Sequence, residues 1–400
     1  MLSPAQAAAA IAEHATPLAA DSLPLTHLVG TVLREAIVAS RDQPPFDRVT
    51  MDGIAFASSA GQRTFRIAGT QAAGAPRMVL ASTDACFEVM TGAAVPTGCD
   101  CVVPVERISI ADGAATVHDD VPLAAGMNIH PRGFDCRAGE PLLEPGTRLG
   151  PPEVAVIAAS GLSHAQASRS PRIAVISTGD ELVEPGEPVR EWQIYRSNAY
   201  GVLASLQRRG YTHVALDHLP DDLDILRERL ARHLETHDVL ILSGGVSMGK
   251  FDFIPQVLTE LGIAAVFHKI AQRPGKPMWF GVGRTPATEG RTIYALPGNP
   301  VSTLVCLGRY VLPGLAAAMG ASQNAPEHIA LAEPVDVKVA LTLFMPVQCL
   351  SAAAGQVLAR PRPTKGSGDF TSLIGTDGFV ELPPGPTVVP AGMIVPFYRW

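Results

Sequence analysis

Between residues 172 and 318 the chain alternates two apolar patterns: short β-branched runs and longer stretches with helical spacing. Arg172-Ile-Ala-Val-Ile-Ser177 and Asp238-Val-Leu-Ile-Leu-Ser243 are almost wholly apolar, as strands buried on both faces of a parallel sheet must be. Further strands are predicted near 211–218, 264–270, 277–282 and 291–296. A helix is predicted from an N-cap at Ser197 or Asn198 to Gly210, and a second over 222–235. A third carries Pro255 in its first turn and closes at Gly262, and a long one starts after Pro300. This alternation predicts a doubly wound α/β domain over 171–321.

The flanking segments read differently. Residues 51–140 lack helical periodicity, and Asp112-Gly113 separates two alternating runs, Arg107–Ile110 and Ala115–His118, a strong hairpin signal. An inserted β-rich domain is expected there, between helical segments at roughly 4–40 and 151–160. The Ala-rich stretch 5–12 is the clearest helix. From 322 to 400, short apolar runs broken by Pro, Gly and Asp predict a small β-barrel or sandwich.

Composition narrows the function. Four hundred residues imply two to four domains. A net charge of −7 and a pI near 5.9 argue against non-specific nucleic-acid binding, so any anion site must be local. No apolar run approaches the ~20 residues that span a bilayer, and no Lys or Arg precedes Arg34. Six cysteines form no CxxC pair, and Cys99 and Cys101 are too close for the usual zinc spacings. A cytoplasmic protein with reduced thiols is expected. Only five of the 31 basic residues are Lys, which draws attention to Lys276 in its Pro-Gly loop.

Candidate chemistry lies in five loops that follow predicted strands: Ser177–Glu181, Leu219–Asp222, Ser243–Gly249, Arg273–Pro277 and Leu296–Pro300. Carboxylates suit a hard cation and Lys or Arg an oxyanion. Ligands of open parallel sheets bind beyond the carboxyl ends of the strands. Gly244–Lys250 nearly matches a phosphate-cradling P-loop, but Phe251 stands where a hydroxyl should hold magnesium. Gly245-Val-Ser-Met-Gly249 matches a nucleophile elbow, with Asp252 and His268 following, yet Pro255 starts the helix too late for Ser247 to serve. An anion loop of backbone N–H groups from Ser243 onward is the simpler reading, with Asp252 beside it. For Glu181, Asp221 and Asp222 the plain alternative is helix N-terminal charge. Pro44–Gly53 and Thr91–Glu106 also place acids and hydroxyls on Pro/Gly-fixed loops, where binding residues tend to lie.

Together these strings closely resemble the molybdopterin molybdenumtransferase family, whose eukaryotic relatives include the E domain of gephyrin. The resemblance is carried by Pro45-Phe-Asp with Met51-Asp-Gly53, Thr91-Gly-Ala, Gly126-Met-Asn128, Ser177-Thr-Gly-Asp-Glu-Leu182, Asn198, Asp221-Asp222, Ser243–Ser247 with Asp252, Pro274-Gly-Lys-Pro277, Leu296–Pro300 and Gly366-Ser367. It implies an elongated homodimer of four-domain subunits: residues 1–50 with 141–170, then 51–140, 171–321 and 322–400. It implies an enzyme that takes adenylylated molybdopterin and molybdate, releases AMP with Mg²⁺ and inserts molybdenum into the dithiolene. The adenylyltransferase that makes this substrate is an expected partner. Asp52, Thr91, Glu181, Asp222 and Asp252 would be catalytic, with Asp52 and Thr91 reaching across the dimer, and Glu181 and Asp252 would hold the metal. Ser243, Gly244, Gly245, Ser247, Arg273, Lys276, Pro297, Asn299 and Ser367 would bind substrate. Three positions depart from the family pattern: Arg273 replaces a usual Lys, Pro346 stands at an expected Arg, and Gly368-Asp369 follows Gly-Ser in place of His. An adenylyltransferase-like enzyme and a gephyrin-like scaffold are the alternatives.

Overall fold

The structure is a computed structural model that describes residues 1–245, 253–322, 325–352 and 355–400. The chain divides into two compact units. One comprises Met1–Glu35, Pro145–Val154 and His164–Trp400, the other Ala36–Glu144 and Ala155–Ser163.

The first unit holds a six-stranded sheet of β1 (Ile173–Thr178), β2 (Val214–Leu219), β3 (Val239–Ser243), β4 (Ile263–His268), β5 (Trp279–Gly283) and β6 (Thr292–Leu296), in the order β2-β1-β3-β6-β5-β4. Successive side chains in a strand point to opposite faces, and here both faces are covered. Ile173, Val175, Val239 and Ile241 pack against α1 (Ser197–Arg208) and the helix running from Pro300. Ala174, Ile176, Leu240 and Leu242 pack against α2 (Leu223–Thr236) and α3 (Ile254–Glu260). The sheet is therefore doubly wound, as the alternation predicts.

One strand direction had no prediction, and one local expectation needs correcting. β5 runs antiparallel to both neighbours while the other strands share one direction. A strand buried on both faces carries no mark of its direction. The N-cap of α1 is Arg196, without a side-chain capping bond; Ser197 and Asn198 already lie inside the first turn. Asn198 uses its amide to bridge Ser243 and Gly298.

The helical stretch Pro300–Ala318 contains a π segment, Leu307–Val311, just before Pro313, whose missing N–H cannot continue the α-helical ladder. By length and composition this helix could cross a membrane (mean hydropathy 1.4), but its apolar window is 61% buried within the fold. It serves as the central core helix of its domain.

At the edge of the sheet where β1, β3 and β6 begin, Asp238 is 2% exposed and gathers three arginines. Arg169 Nη1 donates to it at 2.6 Å, Arg172 donates from its backbone N at 2.9 Å, and Arg291 Nη1 lies at 3.5 Å. Burial raises this carboxyl's pKa, but the bonds from Arg169 and Arg172 outweigh it and hold the group below the ordinary range. Stability from such a depressed carboxyl is full above its unfolded pKa and is lost as pH falls toward the native value. Asp238→Asn should cost about 3 kcal/mol, because three guanidinium groups lose a buried partner. In urea unfolding at neutral pH its midpoint should fall, and the gap to the parent should begin to narrow below about pH 4. An unchanged midpoint would show that the carboxylate's charge contributes nothing to holding the three arginines.

The C-terminal segment is a closed five-stranded barrel. Thr342–Ser351 pairs with Val357–Pro361 and Gly378–Leu382, and Glu327–Leu331 and Ile394–Arg399 complete the ring. Its interior holds Leu331, Val337, Val347, Ala359, Val380 and Leu382. Gln272–Arg273, in the loop between β4 and β5, pairs in parallel with Thr342–Leu343 of the barrel. That pairing brings a loop of the α/β domain against the barrel.

In the second unit a six-stranded sheet carries Gly53–Phe56 between Cys101–Pro104 and Ala85–Val89. The predicted hairpin joins Ile108–Ala111 to Ala114–Val117, with positive φ at both Asp112 and Gly113, as the turn type demands. The segment 4–40 is α-helical only over Pro4–Glu13, in the first unit, where Ser3 and Gln6 form a reciprocal cap, and adds a single 3-10 turn at Leu25–His27. Beyond it, Ala20–Pro24 is a strand paired with His164–Ser168, and Ile37–Val38 pairs with Pro141–Leu143. The helix expected at 151–160 is present as Pro151–Ala159.

Candidate active site

β1, β2, β3 and β6 are parallel, so their carboxyl ends share one edge, and β4 also ends there because it reverses twice relative to β6. All five loops singled out from the sequence therefore begin on that edge, the one after β3 being described over Ser243–Gly245. A cleft of about 900 Å³ opens between them, lined by Thr178, Glu181, Asp221, Ser243, Gly244, Gly245, Pro297 and Asn299, with Gly368 and Phe370 from the barrel segment.

The cleft floor is backbone. Gly244 has φ +105°, and a Cβ there would lie 2.6 Å from the Thr178 carbonyl oxygen, so only glycine fits so close to β1. Gly179 has φ +139°, and a Cβ would meet the Glu181 carboxylate at 2.4 Å; its absence leaves Glu181 its place on the wall. Asn198 ties the floor together, donating to Ser243 Oγ at 2.8 Å and to the Gly298 carbonyl at 2.7 Å. Its job is thus to join the third and sixth strand loops.

The two acids of Leu219–Asp222 part company. Asp222 is the N-cap of α2, and its Oδ1 accepts from the amides of Asp224 and Ile225 at 3.0 Å. Asp221 lines the cleft.

A second cleft of about 470 Å³ adjoins the first through Pro277, Pro297 and Asn299. Here the α/β loop 273–277 faces the barrel. Arg273, Lys276 and Ser367 line it, together with Lys338, Lys365 and Pro346. Asn299 donates to Ser367 Oγ at 2.8 Å, so one residue borders both clefts and fixes the serine. The clefts differ in charge: the larger has acids on its wall, while the smaller collects three of the chain's five lysines and one arginine around, among the described residues, a single carboxylate, Asp336.

In the second unit, Asp52 and Thr91 meet. Asp52 Oδ1 accepts from the Thr91 backbone N at 2.6 Å and from Thr91 Oγ1 at 2.7 Å. Those bonds, the backbone one first, hold the carboxyl below its usual range, so it is ionised at neutral pH. Both residues are exposed. Ser247 and Asp252 lie outside the described residues.

The chain can now be set beside known proteins. The model for the MoeA N-terminal region (domain I and II) matches residues 2–161, that for a probable molybdopterin binding domain matches 174–317, and that for the MoeA C-terminal region (domain IV) matches 330–400. The molybdopterin molybdenumtransferase of Synechocystis sp. is 41% identical over 403 residues, covering 100% of both chains. The chain belongs to the molybdopterin molybdenumtransferase family. The enzyme of that name from Haemophilus influenzae is 31% identical and spans 92% of this chain and 90% of its own. The crystal structure of a molybdopterin biosynthesis MoeA protein from Pyrococcus horikoshii OT3 superposes with a TM-score of 0.81 at 25% identity, covering 100% of each chain.

Within this family fold, reading motifs alone missed three cations. Arg196 stands on the wall of the larger cleft in an irregular segment with no motif of its own. Lys338 and Lys365 reach the smaller cleft from the barrel. The scarcity of lysine was the available signal for the last two. Arg360, elsewhere on the barrel, pairs with Glu333 at 3.3 Å.

Proposed function

We propose that this chain, as a molybdopterin molybdenumtransferase, inserts molybdenum from molybdate into adenylylated molybdopterin and releases AMP. The observation that carries the reading is the adjacency of an acid-walled cleft and a lysine-rich one, joined at Asn299. The first suits a nucleotide-linked pterin with its phosphates; the second suits a tetrahedral dianion.

Mg²⁺ fits the acid wall. Glu181, with Asp252 and one acid of the Asp221-Asp222 pair, offers hard oxygen donors. A cation there would keep several of its waters and borrow substrate oxygens. The bound ion would supply charge neutralisation as the phosphoanhydride breaks. Ser243, Gly244 and Gly245 present the backbone floor, and Pro297 and Asn299 hold the substrate over it. Arg273, Lys276 and Ser367 bind molybdate, assisted by Lys338 and Lys365. Because the metal is delivered to substrate sulfurs, no protein thiol is required. In a homodimer, the exposed Asp52–Thr91 pair completes the site of the other protomer. The adenylyltransferase product is the natural substrate, and a cytoplasmic setting accords with six free cysteines.

The test is the purified protein with adenylylated molybdopterin, Mg²⁺ and molybdate. AMP release coupled to active cofactor is expected; neither product, from folded protein, would reject the reading.

A further inference from the structure

Arg196 is the only cationic side chain lining the larger cleft among the described residues. It is 9% exposed, pairs with Glu184 and lies 5.8 Å from the Tyr200 ring centre. It also precedes the first turn of α1, a helix of 12 residues whose leading amides receive no side-chain cap. Uncapped amides at the start of a helix, with the helix dipole behind them, favour an anion.

A second observation points the same way. The hydroxyls of Ser177 and Thr178, at the carboxyl end of β1, are buried (1% and 4% exposed) and have no hydrogen-bond partner among the described residues. Both line the same cleft. A buried hydroxyl without a partner costs stability unless something fills its bonding capacity. Hydroxyls, free amides and a buried guanidinium together make the donor set a phosphate wants.

Resting on the function proposed above, we infer that Arg196, the first turn of α1 and the hydroxyls of Ser177 and Thr178 form a phosphate subsite, which grips a phosphate of the substrate apart from the molybdate cleft. Glu184 holds the guanidinium in place while the subsite is empty and competes with the incoming anion for it. The subsite recognises a phosphate ester, not the ring attached to it.

Calorimetric titration of the full-length protein with AMP and, separately, with adenosine tests this. Arg196→Ala should weaken AMP about tenfold or more and leave adenosine unchanged, with Arg196→Lys recovering part of the loss. Glu184→Gln should tighten AMP several-fold by removing the competitor. Ser177→Ala should weaken AMP about threefold without lowering the thermal midpoint, since it deletes an unsatisfied group. Equal weakening of AMP and adenosine in Arg196→Ala, or unchanged AMP affinity in Glu184→Gln, would overturn the assignment. Molybdenum insertion is not the readout, so failure of the subsite and failure of the proposed function remain separable.

Discussion

Replacing Glu181 by Gln should slow AMP release by about two to three orders of magnitude, the range seen when one preorganised charge-stabilising group is lost. Glu181 lines the larger cleft, and its side chain has no hydrogen bond or ion pair among the described residues. It therefore contributes little to the fold, and the variant should keep its thermal midpoint. Raising Mg²⁺ should recover part of the rate, because a neutral amide binds a hard cation weakly yet keeps the carboxylate's shape. The half-saturating molybdate concentration should not move. Full activity at ordinary Mg²⁺ would remove Glu181 from the metal's ligands. A companion pair assigns the second acid. Asn caps helices as well as Asp does, so Asp222→Asn preserves the start of α2, while Asp221→Asn alters the cleft wall. The cleft geometry favours the larger loss in Asp221→Asn.

Much of this was legible in the chain. β1 and β3 announced themselves as buried apolar runs, and Asp112-Gly113 specified its turn because few residue pairs accept positive φ twice. The five loops could be placed on one rim because parallel strands send their carboxyl ends to one edge. Other features had no local signature. The direction of β5 depends on pairing partners and not on its own residues. The irregular path from 14 to 40 is set by strands that arrive more than a hundred residues later, such as His164–Ser168. Asp221 and Asp222 look alike in sequence, and only the position where α2 starts separates a capping acid from one on the cleft wall. Arg196 sits outside any motif; its burial over a binding cleft is a property of the assembled domain.

The lysine-rich cleft gives the other large expected effect. Lys276→Ala should raise the half-saturating molybdate concentration about 30-fold, as loss of a charge-assisted bond to a dianion implies, with AMP release at saturating molybdate little changed. Lys276 is exposed, so bulk salt should compete: added chloride should weaken molybdate in the parent more steeply than in the variant. Lys365→Gln should have a smaller effect of the same kind, because Arg273, Lys276 and Lys338 remain around the ion. Asp336 should act in the opposite sense. It pairs with Lys338 at 3.6 Å with both side chains well exposed, a contact worth little to stability. Asp336→Asn should therefore free Lys338 and lower the half-saturating concentration. These shifts would also explain how the site works with Pro346 in place of an arginine: the charge comes from lysines on neighbouring barrel segments. If Lys276→Ala and Lys365→Gln both bind molybdate as the parent does, the oxyanion lies elsewhere and the smaller cleft loses its assigned role.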